Sequence, residues 1–277
     1  MNKFFMLTRG RTGSTAILDE IGTTNILSLQ EPFINLNAGI SEETLRQNCQ
    51  TMVPFDLWVK SISGEENQGN NNTFTRTLCK KINFLCSDNW IIGRVITRSL
   101  IQQYLKELES ISATNNKEGI IFKVLSHQLI ERRPLLGALK SLGYKAVLLV
   151  RRNVVRQVLS GMIAENRGLY NSKKHVTHQS PCNIDLDHFE FCVAWEMKCV
   201  EENRALLKGN GIEYIEVAYE DFCNNREKFY FDLFSYMKLD YQLPKPTAFS
   251  IMIPDIREAI TNFDELESKV STMFSLR

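Results

Sequence analysis

The chain has little of what marks a membrane protein, a metal site or a disulfide framework. Its seven cysteines are odd in number, and no two of them form a Cys-x-x-Cys pair. That excludes the common zinc-ribbon and dithiol spacings, and reads as reduced, mostly packing thiols of a cytoplasmic protein with no metal. No run approaches the ~20 apolar residues that a membrane-spanning helix needs. Met1 to Leu7 is too short for the apolar centre of a signal peptide. An excess of one charge is also missing: 33 Lys and Arg face 32 Asp and Glu, a formal net charge of +1. No general field draws the chain to nucleic acid or to an anionic membrane, so anion binding has to be local. Internal repeats are absent. What remains is 277 residues with 43% hydrophobic and 23% charged content, enough for one large domain over 1–277.

The strongest local signal begins nine residues in, at Arg9-Gly10-Arg11-Thr12-Gly13-Ser14-Thr15, directly after the apolar run Phe4-Phe5-Met6-Leu7. A buried strand is expected to break into a glycine-containing turn and then a helix from Ala16 to Ile21, with Gly22 at its end. Such a turn aims free backbone N–H groups and the positive end of a helix dipole at one point. Gly10 and Gly13 let the backbone approach an anion, while Arg11, Ser14 and Thr15 add side-chain donors. Phosphate or sulfate is the natural occupant. A magnesium NTPase loop requires Gly-x-x-x-x-Gly-Lys-Ser/Thr. Here the glycines are too close together, no lysine follows Gly13, and no later apolar run ends in a clean metal-binding aspartate.

Strand-like apolar runs alternate with helix-like segments, the pattern of an α/β fold with a central, mainly parallel sheet between helical layers. Asn25–Leu29 predicts a second strand, ended by Gln30-Glu31-Pro32-Phe33, and Ser41-Glu42-Glu43 a helix start. The polar stretch from about 61 to 75 predicts a mobile insertion. A helix over Thr97–Glu109 follows. Ile120–Leu125 and Ala146–Val150 are continuous apolar runs, as in strands covered on both faces. Leu186, Phe189, Val193, Met197, Val200 and Leu207 keep helical spacing, and Ile212–Val217 supplies the last strand.

A second basic locus follows Val150. Between Arg151 and Lys174 six bases face the single acid Glu165, and Asn153 is a candidate helix N-cap. Arg152, Arg156 and Ser160 are spaced four apart and share a face if the helix starts early enough. Each basic locus lies at the carboxyl end of a strand, where open α/β sheets bind ligands.

Here the chain resembles the sulfotransferases that use 3′-phosphoadenosine 5′-phosphosulfate. Arg11-Thr12-Gly13-Ser14-Thr15 matches the Arg-Thr-Gly-Ser-Thr phosphosulfate loop of many carbohydrate-type members. Arg152, Asn153 and Ser160 match the family's 3′-phosphate motif, and Tyr219-Glu220-Asp221-Phe222 is similar to its Tyr-Glu-Asp-Leu element, whose tyrosine lies near the nucleotide. Glu31-Pro32-Phe33 resembles the Glu-Pro-Phe element of bacterial carbohydrate-type members, in which the glutamate is a candidate base. The resemblance spans Leu7 to Phe222. It implies a three-layer P-loop-like fold, 3′-phosphoadenosine 5′-phosphosulfate as co-substrate without a metal, and an acceptor hydroxyl on a carbohydrate or glycolipid. Two elements of the steroid and phenol branch are missing. Its Lys-Thr-His is replaced by Lys123 and His127 four apart, and its C-terminal Arg-Lys-Gly by nothing nearer than Arg257.

The resemblance implies the following roles. Gly10, Arg11, Thr12, Gly13, Ser14 and Thr15 hold the 5′ end, and Arg11 stabilises the charge that develops on the leaving phosphate. Arg152 and Ser160 hold the 3′-phosphate, with Tyr219 beside the nucleotide. Glu31 is the candidate base, with His127 in reserve. Lys123, in an apolar strand, either serves the site or snorkels to the surface. A P-loop-like nucleotide kinase and a catalytically inactive nucleotide-binding protein remain as alternatives.

Overall fold

The computed structural model describes residues 1–34, 52–62, 91–131, 133–168, 180–247 and 256–275. The expected helix start at Ser41 lies outside them, as does the polar insertion from residue 63 onwards.

Five strands form one sheet: β1 (Asn2–Thr8), β2 (Ile26–Leu29), β3 (Gly119–Leu125), β4 (Lys145–Val150) and β5 (Tyr214–Ala218). Every pairing is parallel, and the order is β2-β3-β1-β4-β5. The apolar runs are continuous because both faces are covered. On one face Phe5, Leu7, Phe122, Val124 and Leu148 pack in one core cluster; on the other Phe4, Met6, Ile121, Val147 and Leu149 pack in a second. Successive strand residues point to opposite faces, so a two-sided core needs apolar residues at every position.

Helices α1 (Ser14–Ile21), α2 (Phe55–Ile62), α3 (Ile91–Thr114), α4 (Ser126–Glu131), α5 (Pro134–Ser141), α6 (Val154–Arg167), α7 (Leu186–Gly209), α8 (Tyr219–Asn224), α9 (Arg226–Met237) and α10 (Phe263–Ser275) complete the described elements. The first core holds residues of α2, α3, α5 and α7, the second those of α1 and α9. A third, satellite cluster joins α6, α7 and α10 through Leu159, Ile163, Phe189, Val193 and Leu266. The fold is therefore α/β in three layers, as expected, and the sheet is parallel throughout.

Strand order reverses at β1. Its last residue, Thr8, pairs with Leu125 of β3 on one side and Leu149 of β4 on the other. Chain leaving β1 thus enters the crevice between two diverging crossovers, the usual ligand position in such sheets. The loop 9–13 occupies that crevice.

Candidate functional site

Helix α1 begins at Ser14, two residues before the expected Ala16, and Gly22 caps its end. Its N-cap is Gly13, at φ 75. A left-handed residue turns the chain from β1 into the helix, and glycine adopts it without steric cost. A side chain at residue 13 would also run into the Tyr219 ring, at Cδ2 and Cε2. Tyr219 opens α8 and lies across the loop, with the Arg151 guanidinium 4.9 Å from its ring centre. Burial, and then the hydrogen bond to Cys223, push the Tyr219 hydroxyl up to about 12.

The loop is held from beneath. Thr12 is buried, and its hydroxyl meets Thr8 Oγ1 at 2.6 Å and the Arg9 carbonyl at 3.1 Å. That hydroxyl belongs to the loop's own frame, which leaves a ligand the Thr12 backbone. The carbonyl of Gly10 accepts from Gln157 Nε2 at 2.8 Å, and that of Arg11 from Arg151 Nη1 at 2.9 Å. Arg9 forks onto Glu196 of α7 (Nε–Oε2 2.9 Å, Nη2–Oε1 2.5 Å). That hydrogen bond is the main reason the Arg9 pKa rises above its ordinary value. Glu196 and Gln157 are anchors that sequence spacing did not mark.

Arg11 itself sits at φ 64 and donates from Nε and Nη2 to Ser160 Oγ, at 3.1 and 3.0 Å. The two basic loci therefore meet in space: a loop arginine after β1 touches a helix hydroxyl after β4.

Glu31 lies on the other side of the loop. Phe33 plugs it into the core, fully buried with ring centres 5.6 Å from Phe55 and Tyr104 and 6.0 Å from Phe122. Lys123 does not snorkel. It is 5% exposed and reaches Glu31 Oε1 at 2.7 Å and Thr15 Oγ1 at 3.1 Å. A buried ammonium needs such partners, because losing its hydration is costly. Gln128, fully buried, donates to Glu31 Oε2 at 3.3 Å and accepts from the Leu125 amide at 3.1 Å. His127, its neighbour, is exposed, with no hydrogen bond from its ring among the described residues.

The end of β4 is arranged differently. Asn153 caps α6 as expected, accepting from the Arg156 amide at 2.9 Å. The helix starts at Val154, too late for Arg152 to share a helical face with Arg156 and Ser160. Arg152 instead forks onto Asp221 of α8, Nη1–Oδ1 2.6 Å and Nη2–Oδ2 2.7 Å. Its backbone amide and that of Asn153 donate to the two oxygens of Glu220, each at 3.0 Å. Ser160 thus lies against the loop, engaged by Arg11, whereas the Arg152 guanidinium is turned to α8. Arg152 also lines two adjoining cavities of about 530 and 370 Å³, with Val154 and Met197 common to both. Arg257 lies away from this point, against Phe263, Asp264 and Glu267.

The arrangement offers amides and cations to an anion at Ser14 and Thr15, and a carboxylate–lysine pair next to it. Among the described residues no group of three or more His, Cys, Asp or Glu is placed to hold a metal, and no helix is long and apolar enough to cross a membrane.

No family model matches the chain, and no curated protein matches it. Among solved structures, similar chains include the sulfotransferase domain from the curacin biosynthetic pathway (13% identity, 96% of this chain and 86% of that one, TM-score 0.44). Another is the sulfotransferase domain from the Synechococcus PCC 7002 olefin synthase (13% identity, 99% of this chain and 94% of that one, TM-score 0.44).

Proposed function

We propose that the chain is a sulfotransferase that moves a sulfuryl group from 3′-phosphoadenosine 5′-phosphosulfate to an acceptor hydroxyl, on a carbohydrate or glycolipid. It acts as a single domain in the cytoplasm. The observation that carries this reading is the convergence of three elements at one sheet crevice. These are the glycine loop with Arg11, Ser160 of α6 bound to that arginine, and the Glu31–Lys123 pair beside Thr15.

The loop amides, Ser14 and Thr15 hold the 5′-phosphosulfate. A new bond forms from the acceptor oxygen to sulfur while the bond from sulfur to the 5′-phosphate oxygen breaks. The acceptor proton passes to Glu31, and adenosine 3′,5′-bisphosphate leaves. Such a loose, in-line transfer is served by positioning and charge stabilisation, as in phosphoryl transfer. Arg11 faces the leaving phosphate, where charge builds up. Lys123, within reach of both Thr15 and Glu31, adds positive charge between loop and base. Gln128 orients the base from its other oxygen.

The test is a thermal-shift comparison. Adenosine 3′,5′-bisphosphate should raise the Tm clearly more than adenosine 5′-monophosphate, and Arg152→Ala should erase the difference, because a charge-assisted phosphate contact is lost. Equal shifts from the two nucleotides in the wild-type protein overturn the donor assignment.

A further inference from the structure

The acids of α8 take up donors at the start of α6. Arg152 and Asn153 precede the first turn of α6, so their amides have no helical partner. Both donate to Glu220, while the Arg152 guanidinium is forked onto the next residue, Asp221. Two adjacent carboxylates thus take the main donors at the start of this helix. The pair is open to solvent, with the side chains of Arg152 and Asp221 61% and 48% exposed, and Arg152 walls both neighbouring cavities. Both members of the pair are therefore accessible from solvent. The hydrogen bond from Arg152, ahead of the opposing effect of burial, holds the Asp221 carboxyl below its ordinary range, so it stays ionised at neutral pH.

We propose that Asp221 is a built-in rival of the nucleotide 3′-phosphate for Arg152, and that it sets how tightly and how selectively that phosphate is held. The proposal rests on the sulfotransferase reading, in which Arg152 is a 3′-phosphate ligand. An arriving phosphate either displaces the carboxylate from the guanidinium or binds beside it. In both cases the Asp221 charge opposes binding. An exposed ion pair is a weak opponent, so the device tunes affinity and does not block it. Glu220 grips backbone amides, not the guanidinium, and keeps the start of α6 in place while Arg152 changes partner. An Asp221 that instead steered Arg152 towards the phosphate would give the opposite sign.

Calorimetric titration of adenosine 3′,5′-bisphosphate, with adenosine 5′-monophosphate as reference, decides between them. Asp221→Asn should tighten the bisphosphate by about fivefold, the scale of an exposed charge pair, and leave the monophosphate unchanged. Asp221→Glu keeps the charge and should stay near the wild type. In an Arg152→Ala background, Asp221→Asn should yield no gain. If Asp221→Asn fails to fold, Asp221→Ser serves the same comparison. Unchanged or weakened bisphosphate binding in the charge-removing variants overturns the proposal. If the wild type still prefers the bisphosphate and Arg152→Ala abolishes that preference, the sulfotransferase reading survives this failure. A wild type that binds both nucleotides equally sinks the reading and the proposal together.

Discussion

The crevice has two basic ends, and they are built in opposite ways. After β1, the loop is stitched into the interior: Thr12 is buried, the Gly10 and Arg11 carbonyls accept from Gln157 and Arg151, and Lys123 is 5% exposed beside Glu31. After β4, Arg152 is 61% exposed and held by the carboxylates of Asp221 and Glu220. The first end is a rigid frame whose shape is set before any ligand arrives. The second is a set of exposed charges that can change partners. That division suits a reaction in which the transferring group needs fixed geometry while the distal phosphate needs only to be recognised.

Breaking the rigid end should give the largest effect. Glu31→Gln keeps the shape and removes the proton acceptor, so turnover should fall by roughly 10²–10⁴-fold. Affinity for adenosine 3′,5′-bisphosphate should hardly change. Near-wild-type turnover would rule Glu31 out as base and promote His127. Loss of nucleotide binding as well would show Glu31 organising the loop through Lys123 and Thr15. Next in size is Gly13→Ala, which combines a strained φ with a clash against Tyr219. About 2–4 kcal/mol of stability should be lost in denaturant unfolding. In a Tyr219→Ala background the clash is gone but the strain is not, so Gly13→Ala should cost less there than in the wild type, as a double-mutant cycle would read. If the cost is the same in both backgrounds, the two residues do not interlock.

The exposed end should respond weakly. Burial works against the Glu220 charge, but the amides of Asn153 and Arg152 outweigh it and hold its carboxyl below the ordinary value. A group depressed in this way stabilises the fold above its unfolded pKa, near 4.3. The contribution is lost as pH falls from there through the folded value. Glu220→Gln should therefore cost about 1 kcal/mol or less at pH 7, and the deficit should vanish in acid. A deficit that persists unchanged at pH 2 would contradict this origin. The smallest expected effect is none: activity should survive excess EDTA, since arginine, lysine and amides carry the positive charge that a magnesium ion carries in a nucleotide kinase. Loss on chelation, restored by magnesium, would favour the kinase reading.

What the sequence made legible follows from range. The strands were readable because two-sided burial imposes a local pattern, and the loop because Gly13 and its neighbours set backbone geometry within a few residues. Asn153 announced its own helix start, and by doing so it left Arg152 outside the helical face. The helix expected over Thr97–Glu109 runs from Ile91 to Thr114, with its buried residues Ile101, Tyr104, Leu105 and Leu108 inside the periodic stretch that marked it. Contacts between distant segments left no such trace. Nothing near Lys123 shows that it faces Glu31 rather than solvent, since that is decided by β2 lying beside β3. Nothing near Gly13 names Tyr219, and nothing near Arg9 names Glu196. The Tyr-Glu-Asp-Phe element marked α8 as relevant, but not that its acids would take the Arg152 donors.

Arg11 bears on how such a loop changes over time. A glycine there would adopt φ 64 freely, whereas arginine holds that conformation at a penalty of roughly 1 kcal/mol. Drift under selection for stability alone would remove the side chain. Its persistence would have to be maintained by what the guanidinium does at Ser160 and beyond. A library of position-11 variants, sorted once for stability and once for turnover, should therefore enrich different residues: glycine and asparagine in the first sort, arginine in the second.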